Sequence, residues 1–414
     1  MALSSPRKAA ITGMGIVSCL GKELDAVADA LEQGQSGIVF DQQRKDLGFK
    51  SPLTAKLPEI NPKEEGLTRK NLRTMCEPAL YAAVAARKAV KDSGLEPADL
   101  QTPGCGIIFG NDSTIKADVE SIDIAREHGE THYIGSGYIF RSMNSTITMN
   151  LAGLFGTQGA NWTVSAACAS GAHVLGQAMM LIRSGLQDIV IAGGAQEIHW
   201  TSMASFDALN VFSCRFDQPQ KACRPFDRDR DGLVPGGGGA CLILESLDHA
   251  LARNARIYGT IEGYGFSSGI GKTLSNPDSK GSMTAMKQAL KDAGLAPDEI
   301  TYINAHATST PAGDLAEAIA IHDLFGPQTP VSSTKSMTGH ECWMSGASEV
   351  IYTTLMARKG FLAPNINFTG LDETCPPINV ISQARPCRIK NALSNSFGFG
   401  GTNASLILNF EGPF

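Results

Sequence analysis

The stretch Thr163-Val164-Ser165-Ala166-Ala167-Cys168-Ala169-Ser170-Gly171-Ala172-His173 sets one cysteine in a run of very small residues. Upstream, Asn161 to Ala167 reads as a strand that passes into small polar residues. Downstream, Cys168 to Arg183 reads as a helix, with Val174, Leu175, Met179 and Ile182 at helical spacing and Ser184-Gly185 as its stop. The spacing therefore predicts a strand-to-helix turn with Cys168 at or near the helix N-terminus. Two readings are open. Free cysteine is among the most buried residue types, so Cys168 can be a packed thiol. Equally, the free N–H groups and positive dipole end of a helix N-terminus favour a thiolate and can serve a developing oxyanion. Ala166, Ala167, Ala169 and Gly171 leave room for a thin substrate or a second backbone. The turn is similar to a nucleophile elbow, although no G-x-S-x-G string is present.

Outward from this turn the chain repeats itself in order. Ile11–Ser18 (ITGMGIVS) returns as Ile261–Ser268 (IEGYGFSS), an offset of 250. Lys91–Leu100 returns as Lys291–Ile300 at an offset of 200, and Ser170–Gly185 as Ser345–Gly360 at an offset of 175. Ordered matches with shrinking offsets predict a duplication whose first half carries the longer loops. The period is far too long for a solenoid. Each half alternates strands with helices. Apolar strands are expected at Ala9–Ser18, Cys105–Gly110 and Asp188–Glu197 in the first half, and in YGTIEGYGF, ITYINAHA and NASLIL in the second. Such alternation predicts an α/β fold with helix-covered sheets. The halves are placed at 1–257 and 258–414, packed face to face with a site where they meet.

Composition narrows the function. The 414 residues are 43% hydrophobic and 18% charged, enough for a large core. A net charge of −6 without a Lys/Arg block does not favour nucleic acid. Ten scattered cysteines without a C-x-x-C pair argue for reduced thiols in a cytosol. The first residues, MALSSPRKAAITGMGIVSCLG, superficially resemble a leader, but their glycines and β-branched residues suit a strand. No run of about 18 apolar residues spans a membrane.

Two histidines favour a nucleophile at Cys168. His306 follows the strand in ITYINAHATSTPAGD, ahead of Thr308, Ser309, Thr310 and Gly313, and the hydroxyls there suit a polar substrate arm. Lys335 and His340 precede a helical run in VSSTKSMTGHECWMSGASE. The internal alignment pairs Gly346 with Gly171, so a pseudo-twofold brings the His340 loop against the Cys168 loop. Near the C-terminus, NSFGFGGTN gathers Gly398, Gly400 and Gly401 around Phe399. It is no phosphate loop. It reads as a tight turn or as a loop whose N–H groups face the site. PGGGGACLIL (235–244) reads as close backbone packing ahead of a strand.

With these motifs together (ITGMGIVS, VSAACASGAH, RPFDRDRDGLVPGGGGACLILE, NAHATSTPAGD, STKSMTGH and NSFGFGGTN), the chain resembles the elongating β-ketoacyl-acyl-carrier-protein synthases of the thiolase-like superfamily. The FDAL at Phe206 and the AHV after Cys168 are closer to synthase I. The resemblance implies a duplicated five-layer αβαβα fold, a cytoplasmic homodimer and an acyl carrier protein as partner. Substrates arrive on its phosphopantetheine arm, with no cofactor or metal. It implies that Cys168 takes the acyl chain as a thioester, and that His306 and His340 donate Nε hydrogen bonds to the enolate formed when malonyl carrier loses CO2. Lys335 and Glu349 would hold His340 electrostatically and by hydrogen bonding. The N–H groups of Cys168 and Phe399 would form the oxyanion hole, with Phe399 also gating the acyl pocket. Thr308 and Thr310 would contact the pantetheine arm, and Phe206 and Gly400 the substrate. The sequence leaves the family pattern at Glu341-Cys342-Trp343-Met344, where small residues are usual, and in Gly110–Asp118. It is then an ordinary fatty-acid synthase with a repacked loop, or a ketosynthase of a polyene or polyketide-type pathway. The intact Cys-His-His set argues against a non-catalytic chain-length partner.

Overall fold

The structure is a computed structural model that describes residues 7–412 other than 270 and 272. Its centre is a sheet of 11 strands. In chain order these are β1 (Ala9–Val17), β2 (Cys105–Gly110), β3 (Asn161–Val164), β4 (Ile189–Gln196), β5 (Gly238–Ser246), β6 (Gly259–Ser268), β7 (Tyr302–Asn304), β8 (Pro330–Ser332), β9 (Asn379–Val380), β10 (Asn391–Phe397) and β11 (Thr402–Asn409). Five helices matter here: α1 (Glu77–Ser93), α2 (Ser170–Arg183), α3 (Ser279–Ala293), α4 (Pro311–Phe325) and α5 (Ser345–Lys359).

Strands β3-β2-β4-β5-β1 form one half of the sheet and β8-β7-β10-β11-β6 the other, with β9 added outside β8. The two halves have the same pattern. In the first, β1–β5 and β5–β4 are antiparallel while β4–β2 and β2–β3 are parallel. In the second, β6–β11 and β11–β10 are antiparallel while β10–β7 and β7–β8 are parallel. The halves join through three residue pairs of β1 and β6, Ala9 with Ile261, Ala10 with Thr260 and Ile11 with Gly259. Two separate sheets were the natural expectation for five layers; they are instead two halves of one hydrogen-bonded sheet. Helix α1 covers the first half and α3 the second, with α4 against α3, while α2 and α5 pack on each other and on strands of both halves. That order, helix, sheet, helix pair, sheet, helix, is the expected αβαβα sandwich.

The repeated glycines are explained by packing. A Cβ on Gly13 would lie 2.3 Å from the Ala89 carbonyl of α1, and one on Gly263 would lie 2.3 Å from the Ala289 carbonyl of α3. Gly15 and Gly265 meet the Ala85 and Ala285 carbonyls in the same way. In both halves only hydrogen fits between strand and helix. Both helices end on a left-handed glycine, Gly94 and Gly294, each at φ 69°. Helices α2 and α5 cross at Gly171 and Gly346, where a Cβ would reach within 2.9 Å of the Ala347 nitrogen and 2.2 Å of the Ala172 nitrogen. This crossing brings the first turns of α2 and α5 together, and with them the loops that precede each helix.

Candidate active site

Strand β3 ends at Val164 and α2 begins at Ser170, so the turn is longer than the sequence reading placed it and Cys168 lies just ahead of the helix. The elbow is held tightly. Ala167 sits at φ 45°, a conformation that strains a residue with a Cβ. The Ser170 hydroxyl accepts from the Ala166 N–H at 2.8 Å and donates to the Ala167 carbonyl at 2.7 Å. Asp112, from the Gly110–Asp118 loop, accepts from the Ala167 N–H at 3.1 Å. Cys168 is 5% exposed and packs with Cys342 and Trp343, with Ala167 and Phe206 against them.

The thiol is not the low-pKa thiolate that a helix N-terminus led us to expect. Burial pushes it up to about 12, against the opposing pull of Lys335 and of the Phe399 and Cys168 N–H groups directed at the sulfur. Desolvation outweighs the dipole because the sulfur is shut off from water. Those two N–H groups are the ones named for the oxyanion hole.

His306 follows β7, and its backbone is fixed by a residue that sequence reasoning missed. The buried Glu317 carboxylate of α4 accepts from the N–H of His306 at 2.9 Å, the N–H of Ala307 at 2.6 Å and the Asn395 amide at 3.0 Å. His340 follows Lys335–Thr338, a single helical turn. Its N–H donates to the Val234 carbonyl, and its own carbonyl accepts from the Gly236 N–H. The glycine run at 236–239 therefore packs closely, as expected, and also anchors the histidine loop. The two imidazoles stand edge to face, centroids 5.2 Å apart at 86°. His306 Nδ1 and His340 Nε2 are buried without a protein partner. Burial, with the Lys335 cation second, holds both imidazoles well below their usual pKa, so both are neutral near pH 7.

Lys335 and Glu349 form a buried ion pair with each other. Lys335 acts on His340 through its field, but the hydrogen bond to the ring comes from Ser345, whose hydroxyl lies 3.2 Å from Nδ1. Ser345 was detectable in sequence as the repeat partner of Ser170; Glu317 carried no such signal.

These groups open onto a cavity of about 280 Å³. Its walls include Cys168, His306, His340, Thr308, Thr310, Phe206 and Phe399, with the Thr308 and Thr310 hydroxyls 3.0 Å apart. Gly398 and Gly401 also reach the cavity, whereas Gly400 turns its N–H to the Leu274 carbonyl and is not part of the wall.

The chain matches the family description "Beta-ketoacyl synthase, N-terminal domain" over residues 7–250 and "Beta-ketoacyl synthase, C-terminal domain" over 258–369. It belongs to the β-ketoacyl synthase family. It is 39% identical to the 3-oxoacyl-[acyl-carrier-protein] synthase 1 of Escherichia coli K12, over 97% of this chain and 98% of that one. A β-ketoacyl synthase from Burkholderia phymatum superposes with a TM-score of 0.92 at 34% identity, covering 98% of this chain and all of the other. A type II polyketide-synthase ketosynthase, solved with its acyl-carrier protein and bound to the hexaketide, superposes at 0.88 with 29% identity, covering 98% and 100%. The chain is thus a condensing acyltransferase with the thiolase-like fold.

Proposed function

We propose that this enzyme extends an acyl chain held on Cys168 by decarboxylative condensation with malonyl-acyl carrier protein, releasing 3-oxoacyl-acyl carrier protein. The observation that carries this reading is a pair of neutral, partly unpartnered imidazoles in the same cavity as a buried thiol. In the first half-reaction the Cys168 sulfur bonds to the acyl carbonyl carbon. The thioester bond to the pantetheine arm breaks, and the Cys168 proton leaves with the pantetheine sulfur. In the second, the malonyl C–C bond to the carboxylate breaks, CO2 departs, and its electron pair moves into the thioester as an enolate. With Ser345 donating to His340 Nδ1, the ring proton sits on Nε2 and donates to the enolate oxygen, joined by a ring N–H of His306. Neutral donors in a dry pocket stabilise the developing charge without a metal. The enolate carbon then attacks the acyl-Cys168 carbonyl, whose oxyanion is held by the N–H groups of Cys168 and Phe399. Collapse returns the Cys168 sulfur as leaving group. Thr308 and Thr310 face the amide-bearing arm. Burial, with the Lys335 cation second, keeps both imidazoles deprotonated.

The acyl carrier protein as partner is supported by the names of the relatives and by the carrier-bound ketosynthase. Ten unpaired cysteines favour a reducing cytoplasm, and among the described residues no helix is long and apolar enough to cross a membrane. A homodimer is favoured by the exposed edge strand β3. The decisive experiment incubates the enzyme with acyl and malonyl carrier proteins. The native chain gains the acyl mass and yields the 3-oxoacyl product. Cys168→Ala folds but does neither; an adduct persisting in that variant refutes the assignment.

A further inference from the structure

The duplication extends into the active-site loops. At the offset of 175, Thr163-Val164-Ser165-Ala166-Ala167-Cys168-Ala169-Ser170-Gly171 aligns with Thr338-Gly339-His340-Glu341-Cys342-Trp343-Met344-Ser345-Gly346. The backbone obeys the alignment. Ala167 is at φ 45° and its counterpart Cys342 at φ 46°, and Ala169 and Met344 are the N-caps of α2 and α5. The molecule therefore has two elbows. Cys168 occupies the tip of one, Trp343 the tip of the other, and the two side chains belong to the same buried cluster.

Trp343 has little freedom. Its residue is 7% exposed. Its carbonyl lies 2.6 Å and 3.1 Å from where a Cβ would stand on Gly194 and Gly171, so the backbone has no space to retreat. The ring touches Phe206, centroids 6.4 Å apart. Phe206 in turn lies nearly parallel to Phe399 at 6.2 Å and 28°, and to Phe212 at 6.2 Å and 9°. An acyl group on the Cys168 sulfur thus enters a cavity walled by Phe206 and Phe399, with Trp343 packed against Phe206 and Cys168. The indole Nε1–H is also buried without an acceptor. A buried Trp N–H usually has a partner, and a saturated hydrocarbon chain offers none.

We propose that Trp343 is a specificity-determining residue, and that with Phe206 and Phe399 it forms an aromatic slot for flat, conjugated polyunsaturated acyl chains in preference to saturated chains of equal length. The inference rests on the condensing reading above. A conjugated chain stacks on the Phe rings and presents a π face to the indole N–H. It is already planar, so it loses few rotamers in a narrow slot, whereas a saturated chain must freeze each C–C bond.

The test loads carrier protein with hexanoyl or 2,4-hexadienoyl, and with octanoyl or 2,4,6-octatrienoyl, groups. It measures kcat/KM for Cys168 acylation by intact mass and for malonyl-dependent condensation. The native enzyme is expected to favour each conjugated chain at least about tenfold, and Trp343→Ala to bring the ratio near one. Trp343→Phe, which keeps a ring but loses the N–H, is expected to fall between. Melting curves establish that each variant folds; if Trp343→Ala does not, Trp343→Phe and Phe206→Leu decide, each lowering the ratio at least about threefold. A native ratio of one or less, or a ratio unchanged in the folded variants, overturns the inference while leaving the condensing activity intact. Failure of both chain types to load or condense overturns the condensing reading as well.

Discussion

At the residue scale, the site depends on desolvation. The same burial that pushes Cys168 up to about 12 holds His306 and His340 well below their usual range. The free enzyme thus rests with a neutral thiol and two neutral imidazoles beside the buried Lys335–Glu349 pair. This gives a pH signature. Below its pKa the thiolate fraction rises tenfold per unit, so alkylation of Cys168 by iodoacetamide is expected to keep climbing from pH 7 to pH 10. A plateau near the ordinary thiol value of about 8.5 would show that the helix N-terminus wins over burial. The histidines predict a second separation. His306→Ala and His340→Ala should each slow CO2 release from malonyl carrier protein by about 10²–10³-fold, the usual cost of one oxyanion donor. Loading of Cys168 should be far less affected, since the N–H groups directed at the sulfur are those of Phe399 and Cys168. Normal CO2 release by either variant removes that histidine from the enolate contact. The identities of Cys168, His306 and His340 were legible in sequence because Cys168 and His306 follow apolar strands among small residues and the repeat sets the His340 loop opposite the Cys168 loop. The protonation state of Cys168 was not, because it depends on walls contributed by Trp343, Cys342 and Phe206 from elsewhere in the chain.

At the element scale, each elbow is a strained residue and a helix start; β3 leads into the first and the single turn Lys335–Thr338 into the second, and the two have diverged in what they hold. The first keeps Ala166 where the second has Glu341. Glu341 is buried, receives hydrogen bonds from Ser348 at 2.5 Å and Tyr352 at 2.9 Å, and is pushed up to about 8. It is therefore a neutral acid at pH 7 that fixes α5 to the histidine loop. Its folded pKa is raised, so the folded protein retains a proton that the unfolded chain releases above about 4.5. The stability it contributes is fully present below that value and is lost as pH rises to about 8, at up to about 1.4 kcal/mol per unit. Glu341→Gln imitates the neutral acid at every pH. Its melting temperature is expected to gain on the native protein steadily between pH 5 and pH 8; parallel curves would show that Glu341 is ionised in the fold. Sequence reasoning located both elbows and the helices after them. It started α2 at Cys168 rather than Ser170, because no propensity distinguishes a turn of alanines held by a Ser170 side chain from the first turn of a helix. It credited the hydrogen bond on His340 to Lys335 and Glu349, whereas those two pair with each other and Ser345 serves the ring.

At the scale of the whole molecule, the duplication was readable because its anchors are glycines that packing enforces: Gly13 and Gly263 under helix carbonyls, Gly171 and Gly346 at the crossing of α2 and α5. What the sequence left open was how the ends of the sheet are finished. One half gains β9 outside β8, so its edge is covered by a further short strand. The other half stops at β3, where Asn161 and Trp162 are exposed and the outer edge has no neighbouring strand among the described residues. Trp162 is 41% exposed, and Met180, on the helix that follows this strand, is 52% exposed. A bare, apolar strand edge is the kind of surface that monomeric proteins blunt with charge or cover. Here it carries no Lys, Glu or Pro, and the strand runs directly into the Cys168 elbow. Pairing of β3 with β3 of a second copy would continue the sheet across a twofold axis and give each elbow an outer support. The native protein is thus expected to sediment at twice its chain mass of 43.7 kDa. Trp162→Lys, which adds the charge that isolated edges use, should shift it toward the monomer. Because β3 positions the elbow, that monomer should also load acyl groups on Cys168 more slowly. A native protein that sediments as a monomer at micromolar concentration, or a Trp162→Lys variant that stays dimeric, places the contact somewhere other than this edge.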